Sequence, residues 1–404
     1  MNGSTVGIDR PVALLITPVL PEPSGSGRAM RAWDWLCELS QDASVYVVVS
    51  GSVQTQLVQY PAATLLCTEA LNMRSRRLFR ILGLLMPLSA LLSARVVSDW
   101  HQTPSDSWLT ELKAMVGQQA VHRIVVFRTY LHEVGMAVAG CFPNTTVELD
   151  MDDLESSTRR SLAACFFQLR AWRSAVEFFA SSVQYALLQC RVARAYDKVW
   201  LAAPEDAKNM IDTCCGPVDC RPNRLAQSAV NVQLAEPSQE QATLLFVGGL
   251  DYAPNQQAVV QLVDEICPRL QQQLALPWEV HVVGRRAPDW LVRRMNACGS
   301  VTHLSDESCL QPHYAQAQAV VVPVFYGGGT KFKTIEALAY ARPVITTSEG
   351  ARGLGLVHRT HCFVANTPEQ FAQAVVQLVN DPAMARNLGQ AGERHYQKYF
   401  SITS

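Results

Sequence analysis

Three consecutive glycines, Gly327, Gly328 and Gly329, lead into Thr330, Lys331, Phe332 and Lys333, with Glu336 one helical turn further on. The surrounding stretch, 320–339, opens as an apolar run and closes as the helix-forming Ile-Glu-Ala-Leu-Ala. Glycines let the backbone take positive φ and approach a ligand closely. A helix that starts just after them offers unpaired N–H groups and the positive end of its dipole to an anion. Lysines in a first helical turn oppose that dipole, and their placement makes sense where an anion neutralises them. Glu336 is placed to reach the hydroxyl groups of the same ligand. The chemistry expected here is recognition of a phosphate-bearing molecule. The spacing is neither GxxxxGK[ST] nor GxGxxG, and no strand-to-helix turn in the chain carries either pattern. P-loop ATPase and dinucleotide-dependent dehydrogenase readings lose their support accordingly.

The elements that must position this loop follow from the hydrophobic pattern. Apolar runs at 12–17, 45–50, 124–128, 146–149 and 198–202 predict strands, and amphipathic stretches, such as 29–39 after the loop 21–27, predict helices between them. Residues 156–195 contain almost no Gly or Pro and predict a long helical region. Short uninterrupted apolar runs alternating with helices indicate parallel sheets covered on both faces. The pattern breaks into Cys, Pro, Asn and polar residues over 204–237, and the alternation restarts at 243–247, 279–283, 301–304, 319–324, 343–347 and 362–365, with helices at 254–274 and 331–341. Two α/β domains are expected: 1–220, a linker at 221–242, a second domain at 243–382, and a C-terminal helix at 383–404 that returns to the first domain. Ligands of such sheets bind at the carboxyl ends of the strands, and with two facing sheets the expected site is the cleft between them.

Residues 325–353, which run from the glycines through Thr-Lys-Phe-Lys-Thr-Ile-Glu-Ala-Leu-Ala-Tyr-Ala-Arg-Pro-Val-Ile to Ser-Glu-Gly-Ala-Arg-Gly, resemble the donor-site signature of the family 4 glycosyltransferases. Phe-Val-Gly-Gly-Leu-Asp-Tyr-Ala-Pro-Asn at 246–255 and Val-Val-Gly-Arg at 282–285 resemble the opening strands of that family's donor domain, and Leu-Asp-Met-Asp-Asp-Leu-Glu-Ser at 149–156 resembles an aspartate-rich subgroup. The resemblance implies an α/β GT-B architecture of two Rossmann-like parallel-sheet domains. It also implies transfer of a hexosyl group from a UDP-sugar or GDP-sugar to a hydroxyl of a glycan, lipid-linked or small-molecule acceptor, with retention at the anomeric carbon, as in polysaccharide biosynthesis. By position, Gly327, Gly328, Gly329, Thr330 and Lys331 would cradle the diphosphate, with Gly25 and Gly27 facing it across the cleft. Lys333 would stabilise charge on the leaving phosphate, Glu336 would bind ribose hydroxyls, and Arg285 and His303 would lie near the base.

The pattern departs from the family at three places, the first being the absence of the family's usual histidine near the end of a late strand of the N-terminal domain, where Asp150, Asp152 and Asp153 stand. Gly328 stands eight positions before Glu336, where many relatives carry a second glutamate, and Leu250, Asp251 and Asn255 occupy the region of an Arg and Lys pair. Two alternatives therefore stay open, a GT-B-type sugar-nucleotide epimerase and a catalytically degenerate sugar-nucleotide-binding protein. Asp150 and Asp152 are candidate catalytic residues, positioning sugar hydroxyls. Their DxD form also suits a divalent cation or the capping of the following helix, but the family generally needs no metal and no cofactor is expected. His101, His132, Trp33 and Trp35 read as packing or cleft-lining residues.

Composition bounds the rest. Lys and Arg number 34 against 35 Asp and Glu, a net charge of −1, which argues against a nucleic-acid partner. The 49% hydrophobic content argues against long disorder. Twelve cysteines are mostly scattered singly with no CxxC pair, which reads as buried thiols in a cytoplasmic protein. The apolar run at 12–20 reads as a first strand rather than a leader. The 14 uncharged residues at 81–94 are too few to span a bilayer. With Arg74, Arg76, Arg77 and Arg80 before them, residues 74–95 suit either peripheral contact with the inner face of a membrane or an ordinary packed helix.

Overall fold

The structure, a computed structural model, describes residues 10–50, 63–68, 104–214, 216–226, 240–307 and 309–402. The segment 74–95 lies outside the described residues. Contacts divide the chain into two units, Met1–Ser156 with Ala180–Arg221, and Ser157–Phe179 with Pro222–Ser404.

The first unit holds β1 (Val12–Thr17), α1 (Gly27–Asp42), β2 (Ser44–Ser50), β3 (Ala63–Thr68), α2 (Asp106–Val116), β4 (Val121–Phe127), α3 (His132–Ala139) and β5 (Thr146–Asp152). After α4 (Glu155–Gln168) and α5 (Trp172–Ala193), the chain adds β6 (Lys198–Leu201), α6 (Pro204–Cys214) and β7 (Val218–Cys220). The seven strands pair in parallel in the order β3-β2-β1-β4-β5-β6-β7. All six residues of β1 are buried, which is why the run lacks the alternation of a one-sided strand. The expected helical region 156–195 is two helices. Arg170 takes φ 57°, and the N–H groups of Ala171 and Arg170 bond back to the carbonyls of Phe166 and Phe167. That is a Schellman termination with arginine where glycine is usual, so the break leaves no glycine signal.

Helix α1 is held to this sheet by charge. The Arg31 guanidinium is fully buried and donates to both carboxylate oxygens of Asp150 on β5, at 2.7 and 2.8 Å, and to the carbonyl of Arg221 at 3.0 Å. Trp35 Nε1 also donates to Asp150. The Arg221 guanidinium lies 3.8 Å from the Trp35 ring centroid and pairs with Asp34 at 2.8 Å and with Glu38. One expectation about the cysteines is corrected. Cys190 and Cys214, 24 residues apart, are joined by a disulfide, because α5 and α6 flank β6 and bring their Cα atoms to 5.0 Å.

The second unit holds β8 (Leu225–Ala226), β9 (Ala242–Val247), α7 (Ala253–Gln261), α8 (Cys267–Gln273), β10 (Trp278–Val283), α9 (Asp289–Asn296) and β11 (Val301–Leu304). It continues through α10 (Gln311–Gln316), β12 (Ala319–Val322), α11 (Phe332–Ala339), β13 (Val344–Thr346), β14 (Phe363–Val364), α12 (Pro368–Asn380), α13 (Pro382–Tyr399) and β15 (Ser401–Ile402). Six strands pair in parallel in the order β11-β10-β9-β12-β13-β14, and β15 pairs with β8. The strand order reverses between β9 and β12, the place where open α/β sheets receive ligands. The last helix, expected to return to the first domain, packs inside the second unit. Glycines on α13 permit this: a Cβ on Gly389 would sit 2.2 Å from the Ala341 carbonyl oxygen, and one on Gly392 would sit 2.7 Å from Leu338. Among the described residues no helix is long and apolar enough to cross a membrane.

Removing one partner of a buried ion pair leaves the other charge uncompensated. Asp150→Ala is expected to destabilise the first unit by about 3–5 kcal/mol, read as a lower urea midpoint. A loss under about 1 kcal/mol, typical of an exposed pair, would show that Arg31 finds its stabilisation elsewhere.

Candidate active site

The glycine loop leaves β12 and enters α11 at the reversal point. Gly327 has φ 125° and Gly329 φ 59°, conformations that side chains rarely adopt, so two of the three glycines are required by the backbone itself. Side chains from distant elements fix the loop. Ser161 on α4 accepts from the Gly327 N–H at 2.8 Å, and Asn223 donates to the Thr330 hydroxyl at 2.7 Å. Lys331 Nζ donates to the carbonyls of Gly328 and Gly329, each at 3.0 Å, and to Glu349 at 2.9 Å. Lys331 therefore folds the loop and spends its donors inside the protein. No side chain caps the start of α11, so the first turn keeps the donor character that suits an anion.

Among the described residues of this loop and its helix, Lys333 is the cation left to face a ligand. Its Nζ donates to Asn255 Oδ1 on α7 at 2.5 Å and lies 4.6 Å from the Phe246 ring centroid at the end of β9. Burial, reinforced by the neighbouring Lys331, pushes its pKa down to about 7 against the opposing pull of Glu336. Glu336 is pushed up to about 7 by burial, while a 3.3 Å hydrogen bond from the Tyr314 hydroxyl and the charge of Lys333 pull the other way. Tyr314 is itself stacked on Tyr340 with centroids 4.4 Å apart.

Two glycines outside the loop make room for this arrangement. A Cβ on Gly248 would lie 2.7 Å from Lys333 Nζ and 2.9 Å from Asn255 Nδ2, and one on Gly284 would lie 2.2 Å from the Gly248 carbonyl oxygen. Arg285 follows β10 and is exposed, its carbonyl accepting from the Leu250 N–H at 2.9 Å. The His303 ring is bonded to the Gly284 carbonyl at 3.1 Å.

The structure therefore brings Gly327, Gly328, Gly329, Thr330, Lys331, Lys333 and Glu336 into one neighbourhood. Arg285 and His303 lie in the same unit, at the ends of β10 and β11, and the remaining candidates belong to the first unit. Gly25, φ 106°, and Gly27 lie at the turn into α1, with Ser26 capping the helix by accepting from the Ala29 N–H at 3.2 Å. Asp150 has an internal role as the acceptor for Arg31 and Trp35, and it also accepts from the Asp152 N–H at 2.9 Å. Asp152, φ 64°, pairs with Arg128 at 2.9 Å and stands 3.6 Å from Arg31. Burial is the largest influence on its carboxyl and raises its pKa despite both arginines. Asp153 and Glu155 also pair with Arg128, at 3.1 and 2.6 Å, so the DxD carboxylates are turned onto arginines. Asn255, Tyr314, Ser161, Asn223 and Glu349 complete the pocket without a motif of their own.

These ionisations fix how stability should vary with pH. Glu336 binds its proton more tightly folded than unfolded, so its contribution is complete below about 4.5 and lost as pH rises through about 7. Lys333 binds its proton less tightly folded, so its burial cost is fully felt below about 7 and relieved as pH rises towards about 10.5. Glu336→Gln is expected to abolish the loss of thermal stability that accompanies a rise in pH from about 4.5 to about 7, and Lys333→Met to raise stability most below pH 7. Unchanged profiles in both variants would contradict the buried pair.

Residues 241–381 match a family model described as Glycosyl transferases group 1. Among curated proteins none matches the sequence significantly. Similar solved structures include sucrose-phosphate synthase from Thermosynechococcus elongatus, 16% identical, with a TM-score of 0.69 over 97% of this chain and 95% of that one. Anabaena Alr3699/HepE in complex with UDP and glucose is 12% identical, with a TM-score of 0.64 over 96% and 95%. The G117R mutant of TarM from S. aureus, in complex with Fondaparinux, alpha-GlcNAc-glycerol and UDP, is 12% identical, with a TM-score of 0.53 over 72% and 55%. The protein thus has the two-domain, Rossmann-like GT-B fold, and the part of it that builds the glycine-loop pocket matches the glycosyl transferases of group 1.

Proposed function

We propose that the protein transfers a hexosyl group from a nucleoside-diphosphate sugar to an acceptor hydroxyl with retention of anomeric configuration. The observation that carries this reading is Lys333. Its charge is disfavoured by burial and becomes favourable when an anion arrives at the glycine loop beside the uncapped start of α11. UDP is the first nucleotide to test, since Alr3699/HepE and TarM are both described in complex with UDP. The match of 241–381 to the group 1 transferases supports the same reaction class.

In this mechanism the bond between the anomeric carbon and the diphosphate oxygen breaks, and the electron pair leaves with the phosphate. Lys333, protonated, and the loop amides from Gly328 to Thr330 stabilise that developing charge. The acceptor oxygen forms its bond on the face the phosphate leaves, and its proton passes to the departing phosphate oxygen. Glu336, held near neutrality of charge by burial and touched by Tyr314, binds the ribose hydroxyls. Arg285 is the group proposed to meet the base. In the first unit, Gly25 and Gly27 offer backbone donors at the carboxyl end of β1. Asp152, whose side chain is partly exposed, is the group proposed to receive a sugar or acceptor hydroxyl, while Asp150 supports it by holding Arg31.

Calorimetric titration with UDP and GDP, followed by measurement of nucleotide release from sugar nucleotides over an acceptor panel, tests the proposal. UDP affinity is expected to fall roughly tenfold per pH unit above 7 as Lys333 loses its proton. Lys333→Arg, charged throughout, should lack that slope, and Lys333→Ala should cost about 2.7–4 kcal/mol of transition-state stabilisation. Failure of every nucleoside diphosphate to bind would overturn the assignment. Binding without turnover would favour a binding protein, and a change in the donor sugar without acceptor would favour an epimerase.

A further inference from the structure

The hairpin formed by α4 and α5 presents its apolar residues to solvent. Phe167, Trp172, Val176 and Phe179 are exposed, Phe167 by 54% and Trp172 by 56%. The Phe167 and Trp172 rings meet edge to face with centroids 4.6 Å apart. Val183 and Leu187, the latter 75% exposed, continue the row along α5. Positions 172, 176, 179, 183 and 187 follow the helical period, so they make one face. The amphipathic order of α5 is reversed in part: Ser181, Ser182 and Gln189 are buried while Trp, Phe and Leu side chains face outward. Such an apolar face on a surface helix marks an interaction site.

The charges around it choose the partner. Residues 157–179 contain Arg159, Arg160, Arg170 and Arg173 against one carboxylate, Glu177, and Glu177 is paired with Arg173 at 3.2 Å. Arg160, Arg170 and Arg173 are exposed on the same hairpin, on α4, at the turn and on the first turn of α5 respectively. A second copy docked by two-fold symmetry would set these cationic groups against themselves. Aromatic rings combined with arginines suit the boundary between headgroups and acyl chains, with the guanidinium groups on headgroup phosphates.

We propose that the α4–α5 hairpin docks on an anionic lipid bilayer, placing Phe167, Trp172 and Phe179 at the acyl boundary and Arg160, Arg170 and Arg173 among the headgroups. The proposal does not depend on sugar transfer and is read without an activity assay.

Co-sedimentation of the full chain with phosphatidylcholine vesicles, and with vesicles that also contain phosphatidylglycerol, is the test. Binding is expected to the anionic vesicles only and to weaken with salt. The triple variant Phe167→Ser, Trp172→Ser, Phe179→Ser should abolish it. Arg160→Gln, Arg170→Gln, Arg173→Gln should lower the partition coefficient roughly 10- to 100-fold. All six positions are exposed, and an unchanged melting temperature checks that each variant folds. Quenching of tryptophan emission by lipids brominated near the headgroup, lost in Trp172→Phe, would place the ring at the surface. Full binding by the triple aromatic variant, or equal binding to both vesicle types, would overturn the proposal. So would absence of vesicle binding together with a concentration-dependent dimer that the aromatic variant dissolves, which would assign the face to a second copy.

Discussion

Lys333 places an ammonium group where water is scarce, and much of the second unit is shaped around that placement. The amino group touches Asn255 and faces the Phe246 ring, and the two strand ends beside it can close only because Gly248 and Gly284 have no side chains. A buried cation without a full counter-charge is an unfavourable state of the free protein. Glu336, the nearest carboxyl group, is itself held partly protonated by the same burial. The two groups neutralise one another incompletely, and the pocket remains poised for an anion from outside.

The first unit solves the opposite problem. Its buried charges are satisfied from within: Arg31 closes on Asp150, and Arg128 on Asp152, Asp153 and Glu155. An aspartate run at the end of a parallel strand reads equally well as a ligand site or as an internal anchor. The partner, Arg31, lies 119 residues from Asp150, and only the fold shows that α1 delivers it. With Asp150 fully engaged, what remains of the DxD motif is the partly exposed Asp152.

What was legible in the sequence was local. The fully buried strands β1 and β9 stand out as unbroken apolar runs, and the glycine loop with its lysines is contiguous. Beyond that range the sequence is silent. The edge strand β7 has three residues with a charged centre, too short to register, and β3 is not among the apolar runs that predict strands. Arg170 ends a helix in the role of glycine without its chemistry. Within the site, Asn255 reaches Lys333 across 78 residues, Asn223 reaches Thr330 across 107 and Ser161 reaches Gly327 across 166. No periodicity or motif encodes contacts at such separations. Lys331 and Lys333, alike in the sequence, differ in the structure because one turns back onto its own loop and the other points at a strand end.

The pairing of β15 with β8 carries a consequence for how the protein is made. Ser401 and Ile402 pair with Leu225 and Ala226, the Leu225 N–H bonds to the Phe400 carbonyl, and Tyr396 donates to the carbonyl of Leu225 at 3.2 Å. Two residues before that strand, Asn223 grips Thr330 in the glycine loop. On the ribosome, β9 to β13 can pair as they emerge, since domains fold as units in the order of synthesis. The strand pairing beside Asn223 is completed only when Ser401 and Ile402 have been made. The sheet can thus form ahead of the pairing that steadies the Asn223 brace on the glycine loop.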